Sequence, residues 1–272
     1  MRMKSVFLVF AKDWLEIRRN WQVLTPLVVI PLMFALLLPF AAIGPTLALP
    51  SQASSVGLVR LLTALPVQVK EEIAGMSGVQ SIIYMVSIYL FAPVFLIIPI
   101  MASSVIASDS FAGEKERKTI EALLATPLSD AELLLGKMLV SFLPAFAVTA
   151  AAFTLYSAVV DLLTANSFGG RLLLPNADWI ALVFCLAPAL AFADIGLTVL
   201  ISARTKGVRE AQQISALLLI PLLAGVLGQA SGSVTLQLSS ILILATLLLI
   251  LDIAVFVASI RVFGRDRILA RI

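Results

Sequence analysis

Residues 82–108 read IIYMVSIYLFAPVFLIIPIMASSVIAS, a run of 27 residues without one Asp, Glu, Lys or Arg. A helix needs about 20 mostly apolar residues to cross the hydrocarbon core of a bilayer. This stretch therefore reads as a membrane span. The rest of the chain has the same character: of 272 residues, 61% are hydrophobic and only 13% charged, and the mean hydropathy is +1.08. A water-soluble domain carries about 45–50% apolar and about 25% charged residues. A soluble globule is excluded on that count, and so is a disordered chain.

Working outward, five further segments qualify or nearly qualify as spans: about Gln22–Ile43, Met138–Val160, Trp179–Ile201, Ile214–Gly228 and Ser239–Ile260. The segment from Ile214 is short and carries Pro221, Gly225 and Gly228. It reads as a candidate re-entrant piece running on through residues 229–238, a form tolerated only where protein buries it or water reaches it. The cations set the orientation. Sixteen of the 19 Lys and Arg residues fall in four places: the N-terminal stretch, the loop after the second span, the loop after the fourth, and the C-terminus. Only Arg60, Lys70 and Arg171 lie on the other side. The positive-inside rule then puts both termini in the cytoplasm, as an even number of spans requires. The expected fold is an all-α membrane protein with six transmembrane helices. Residues 1–21 form a cytoplasmic interfacial helix and residues 22–272 a single transmembrane domain. The first apolar run is too long for a signal-peptide core, so no cleaved leader is expected.

Composition also removes chemistry. There is no His and a single Cys, Cys185. A His-ligated metal, a His general base and an internal disulfide are thereby excluded. Gly136-Lys137 is followed by Met138 and has no upstream Gly at phosphate-loop spacing, so no nucleotide site is expected. The pI of about 9.2 reflects where the cations stand along a membrane chain, and no nucleic-acid partner is expected.

Two segments flank the spans on the cytoplasmic side. In residues 3–21, Phe7, Phe10, Trp14, Ile17 and Trp21 recur at three- and four-residue spacing. This suits a helix lying in the interface with aromatics at headgroup depth and cations toward anionic lipid. The loop 109–137 reads DSFAGEKERKTIEALLATPLSDAELLLGK. Two short helices are expected in it, divided at Thr126-Pro127 because a proline disfavours helical geometry in the residue before it. Glu114 and Lys118 stand at the favourable i,i+4 spacing. Ser129 and Glu132 have the spacing of a capping box ahead of the apolar run from Leu133 to Leu135. A mixed-charge element with a small apolar stripe, Ile120, Leu123 and Leu124, suits docking onto a soluble partner better than a solvated connector.

This loop resembles the signature of the ABC type-2 export permeases. The matching elements are Gly113-Glu114-Lys115-Glu116-Arg117, Thr119-Ile120-Glu121-Ala122-Leu123-Leu124 and Thr126-Pro127-Leu128-Ser129, with Lys118 where that family commonly has Gly. The ending Phe263-Gly264-Arg265-Asp266-Arg267-Ile268-Leu269 is similar to the family's, with Asp266 where Glu is common. The resemblance implies a half-transporter in the plasma membrane that pairs with a second permease copy or homologue. It implies an ABC ATPase subunit as partner, with ATP and Mg held by that subunit and no cofactor on this chain. It implies that the loop is the coupling element, so that Glu114, Lys115, Glu116, Arg117, Thr119, Glu121, Leu123, Leu124 and Pro127 are the candidate ATPase-coupling residues. The cargo would be apolar or amphipathic, a drug, lipid or lipopeptide, with sodium as the alternative.

Two carboxylates remain inside spans, Asp194 and Asp252, each about two turns from the expected cytoplasmic end. An ionised group at a span centre costs on the order of 2.5–3.5 kcal/mol and faces a partner or water. A structural hydrogen bond, or pairing with Arg204 or Arg261, is expected ahead of a cation or proton site. Were they an ion site, the chain would be a secondary transporter or channel. A non-transporting scaffold that recruits a partner through 109–137 is the third class.

Overall fold

The computed structural model describes residues 3–48, 65–119, 128–202, 205 and 207–262, apart from the side chains of 68, 261 and 262. Among these, every regular element is a helix. In chain order they are α1 (Met3–Ile17), α2 (Trp21–Ala48), α3 (Val67–Glu72), α4 (Gly78–Glu116), α5 (Asp130–Thr164), α6 (Ala177–Ser202), α7 (Val208–Ala230) and α8 (Leu238–Val262). Six of them, α2 and α4 to α8, are long and apolar enough to cross a membrane. They match the six expected segments, extended by several residues at most ends.

Local chemistry sets where the helices start. Asn20 caps α2 by accepting from Gln22 N at 3.1 Å. Ser77 with Gln80, and Ser129 with Glu132, form complete capping boxes at α4 and α5, and Asn176 caps α6 through Trp179 N at 2.9 Å. Each such cap satisfies an amide that the first turn leaves without a partner. α5 has 35 residues and is about 52 Å long at 1.5 Å per residue. The hydrocarbon core is about 30 Å thick, so α5 is longer than a crossing requires.

α4 and α6 are the most buried spans, while α2, α7 and α8 leave most of their side chains on the outer surface. The centre is an aromatic cluster. Trp179 stacks on Tyr156 at 5.0 Å and on Phe153 at 5.7 Å, and Phe95 meets it edge-on at 5.3 Å. Such pairs add stabilisation beyond their buried area. Their polar atoms are met by one turn of α4: Tyr156 Oη donates to Ser87 O at 2.6 Å and Trp179 Nε1 to Ile88 O at 3.0 Å. Those carbonyls belong to a π-helical turn, Met85–Leu90, in which Phe91 N donates back to Val86 O. The turn precedes Pro93, which has no N–H to offer the carbonyl four residues earlier. Elsewhere in the spans, hydroxyls such as Ser141, Thr149 and Thr164 bond the carbonyl four residues before them, which satisfies them without an outside partner.

Three expectations are corrected. The loop does not begin with a separate helix: α4 runs unbroken to Glu116, and Glu114 pairs with α1 and α5 rather than with Lys118. The helix ends in a 6→1 and 5→2 hydrogen-bond pair, Thr119 N to Glu114 O at 2.9 Å and Lys118 N to Lys115 O at 3.2 Å, with Lys118 at φ 58°. That is a left-handed C-terminal cap, the position glycine fills most cheaply. Next, α7 is neither short nor broken at Pro221, Gly225 or Gly228 but helical throughout Val208–Ala230. A 3-10 turn, Ala216–Leu218, precedes the helix Leu219–Ala230, and Pro221 sits in that helix's first turn, where its missing N–H costs little. Third, the stripe from Phe7 to Trp21 is not one helix face, since α1 ends at Ile17 and Trp21 opens α2. Val6, Val9, Asp13 and Ile17 are buried, while Phe7, Leu8 and Trp21 are exposed.

Candidate functional site

The charged residues converge where α1 crosses the starts of α5 and the end of α4. Gly136 lets α1 lie directly on α5: a Cβ there would stand 2.7 Å from Val9 Cβ and 3.0 Å from Val6 O. The next residue, Lys137, is fully buried. Its ammonium lies 2.7 Å from Glu114 Oε2 and 3.1 Å from Asp13 Oδ2, and donates to Ser110 O at 2.8 Å. Asp13 Oδ2 also accepts from Ser110 Oγ at 2.8 Å. Ser110 belongs to a second π-helical turn, Asp109–Gly113. Glu114 is 2% and Asp13 3% exposed, so neither carboxylate is screened by bulk water. Ion pairs in such a place hold only when each charge is met; here each of the four carboxylate oxygens has an ammonium within 3.1 Å.

Lys12 completes the cluster from the open side. Its ammonium sits 2.6 Å from Glu114 Oε1, 3.1 Å from Asp13 Oδ1 and 3.2 Å from Glu16 Oε1. The three carboxylates bring oxygens within 4.8 Å of one another, close enough for a metal ion, and the Lys12 ammonium supplies the positive charge on all three. Burial raises the Asp13 carboxyl, but the ammoniums of Lys137 and Lys12 and the Ser110 hydroxyl outweigh it and hold Asp13 below the usual carboxylate range. Burial likewise pulls Lys12 down, and its contacts with Glu114 and Asp13 reverse that, leaving it above the usual lysine value.

Around this core the predicted coupling residues divide. Glu114 is inside the cluster. Lys115 Nζ donates to Thr205 O at 3.0 Å, and Glu116 Oε2 accepts from Val208 N at 3.1 Å, which ties the end of α4 to the start of α7. Arg117 pairs with Asp109 at 3.1 Å, and Asn20 Nδ2 approaches the same carboxylate oxygen at 3.4 Å. Glu116, Arg117, Lys118 and Thr119 are exposed. Glu121, Leu123, Leu124 and Pro127 lie outside the described residues. A cleft of about 700 Å³ opens here, walled by Asn20, Asp109, Glu116, Arg117, Arg209 and Glu210. It carries both signs of charge on three converging chain segments. Nothing in it arranges a nucleophile with a base; what it offers is a rigid, polar face at the end of the bundle.

The sequence reading missed Lys137, Asp13 and Ser110 as site residues. Lys137 counted only as a loop cation, yet the Ser129 capping box already starts the helix at Asp130 and so places Lys137 about two turns inside it. The intramembrane carboxylates are apart from this site. Asp194 is fully buried and its Oδ2 accepts from Ser103 Oγ on α4 at 2.6 Å. The Oδ1 of Asp194 and both carboxylate oxygens of Asp252 have no hydrogen-bond partner among the described residues. The side chains of Arg204 and Arg261, considered as partners for them, lie outside the described residues.

No curated protein and no solved structure matches the chain. A family model described as ABC-2 family transporter protein matches residues 7–254. That interval takes in α1, the ion cluster and all of the spans but the last turns of α8, and the chain belongs to the ABC-2 transporter family.

Proposed function

We propose that the chain is the membrane permease of an ATP-driven exporter, working as a dimer with ATPase subunits that dock at the cleft beside α1. In this reading the cleft end is cytoplasmic, in the plasma membrane, and hydrolysis falls to the separate subunit. The observation that carries it is the cluster of Lys12, Asp13, Glu114 and Lys137 beneath the exposed residues 116–119. A push on those residues is delivered at once to α1, α4 and α5 through the cluster, and to α7 through Glu116. A solvated connector would need no such brace. The cargo is an apolar or amphipathic molecule, in keeping with the apolar walls of the spans, or sodium.

The test is reconstitution with the partner ATPase. Arg117→Glu and Glu121→Lys should abolish cargo-stimulated ATP hydrolysis and co-purification of the ATPase, with the thermal midpoint of the permease unchanged. Full coupling in both variants would overturn the docking role. A second reading, an ion-coupled carrier, is favoured by one observation: the carboxylate oxygens of Asp194 and Asp252 that lack partners. The same vesicles separate the two. Efflux that ignores ATP, follows a sodium or proton gradient and vanishes in Asp194→Asn would establish the carrier. Efflux that needs ATP and survives Asp194→Asn would establish the exporter.

A further inference from the structure

At the end of the bundle opposite the ion cluster, α7 is held by very little. Of the 12 residues of its helix Leu219–Ala230, only Gln229 is buried, and it is 1% exposed. A glutamine is a strange residue to bury in a segment otherwise made of Leu, Ile, Val, Ala and Gly. Its partner explains it. Gln229 Nε2 donates to Tyr89 O at 2.6 Å, and Tyr89 Oη returns to Gln229 O and to Val234 O, each at 3.3 Å. Tyr89 lies in the π-helical turn before Pro93. In a regular helix its carbonyl would take the N–H of residue 93, and proline has none. The vacancy in the α4 ladder is thus filled from α7. Three successive carbonyls, Ser87, Ile88 and Tyr89, are taken by side chains of three different spans. The first two come from Tyr156 and Trp179, both locked in the aromatic core. The third comes from the last turns of a span whose other buried residues, Ala211 and Ser215, lie at its far end.

We propose that Gln229 and Tyr89 form a latch that closes the ends of α4 and α7 together, and that these ends part when the latch is released. A polar contact suits this role. In a membrane, apolar surfaces gain little by meeting each other rather than lipid, so a directional pair has leverage over whether this end of α7 stays docked, the other end being tied through Glu116 and through Ser215 to Thr198. The turn after it belongs to the same device: Gly228 passes so close to Val234 that a Cβ there would lie 2.9 Å from Val234 Cγ2. Val234 N also donates to Gly228 O at 3.1 Å, which closes the turn whose Val234 carbonyl meets the Tyr89 hydroxyl. The latch rests on the transport reading only for its purpose, the closing of a path. Its geometry and its test require neither ATP nor cargo.

The full chain in lipid nanodiscs is followed by amide hydrogen exchange. Gln229→Leu removes the donor and should speed exchange across residues 222–234 roughly five- to tenfold, the weight of one buried hydrogen bond. Exchange across 140–160 should not change. Pro93→Ala touches neither latch residue but restores an N–H that competes for Tyr89 O. It should loosen the same segment in the same direction, and more than Pro93→Val, which restores the same N–H while keeping most of the side-chain volume, only if packing contributes. Tyr89→Phe keeps the ring and should give a smaller increase. To read opening directly, Leu222→Cys in a Cys185→Ala background is labelled with a charged maleimide, and labelling should quicken at least fivefold when Gln229→Leu is added. Exchange and labelling unchanged within twofold in both Gln229→Leu and Pro93→Ala would overturn the latch. Where Gln229→Leu does not fold, Pro93→Ala and Tyr89→Phe decide alone. Failure of ATP-dependent efflux would count against the exporter and leave these measurements standing.

Discussion

Replacing Lys137 by Met tests whether the ion cluster holds α1, α4 and α5 together. The substitution keeps the length of the side chain and removes its charge. It leaves Asp13 and Glu114, 3% and 2% exposed, with Lys12 as their remaining counter-ion. Removing one partner of a buried pair costs about 3–5 kcal/mol because a charge is stranded. Lys12 still neutralises part of it, which places the expected loss near the lower bound, about 3 kcal/mol. At about 2–4 °C per kcal/mol for chains of this size, the melting midpoint falls by about 6–12 °C. Tryptophan fluorescence of the purified chain during heating reports it, since Trp14 stands on α1 and Trp179 in the core. Adding Asp13→Asn and Glu114→Gln should recover most of the loss, because a buried network replaced as a whole by neutral groups is close to neutral in stability. The pH dependence gives an independent reading. Asp13 is held below its usual range, so its contribution is present above the ordinary carboxylate pKa of about 4. It is lost as pH falls through the lowered folded value. Lys12 is held above its usual value, so its contribution is complete below about 10 and is lost only as pH rises through the raised one. Wild-type stability should be level between those limits and fall on the acid side, with a shallower fall in Asp13→Asn. A midpoint drop under about 2 °C for Lys137→Met, the worth of a surface pair, would refute the reasoning.

Two further outcomes follow from backbone geometry. Lys118→Gly should stabilise the chain by about 1 kcal/mol, since Lys118 occupies a left-handed conformation that costs a side-chain-bearing residue about that much; calorimetry or thermal fluorescence checks the rise. Gly136→Ala should lower stability by about 1–3 kcal/mol through overpacking, because the new methyl meets Val9 and the Val6 carbonyl. Val9→Ala in the same chain should restore only part of it, as the carbonyl cannot be trimmed.

The six spans were legible because length and the absence of charge identify a membrane helix without any knowledge of its neighbours. The capping box at Ser129 was legible too; the left-handed conformation at position 118 was not, because Lys118 also has the spacing of a helical partner for Glu114. The packing face of α1 was not. Beside a membrane, a helix face turned to lipid and one turned to protein are equally apolar, so periodicity alone cannot separate exposed Phe7 from buried Val6 and Val9 or from Phe10, which packs on the core. The pairing of Asp13 with Lys137 was hidden for a different reason. It joins residues 124 positions apart, and each alone reads as one more charge at a membrane boundary. The π-helical turn at Met85–Leu90 had one visible cause, Pro93, but a proline shows only that a carbonyl will lack its helical donor. It does not say that Gln229 will serve it.

The same separation bears on how the chain is made. α1 is synthesised ahead of the spans, yet Ser110 and Glu114 come only with the end of the second span and Lys137 only after it, and all three are needed to complete the surroundings of Asp13. Until then Asp13 has only Lys12 beside it, and the helix has no bed to lie in, because Gly136 is not yet there. Its exposed Phe7, Leu8 and Leu15 give it a resting place at the lipid surface in the meantime. The docking of α1 is therefore a late step of biogenesis. A chain halted before residue 137 should carry an N-terminus open to protease, and one halted past α5 should carry a protected one.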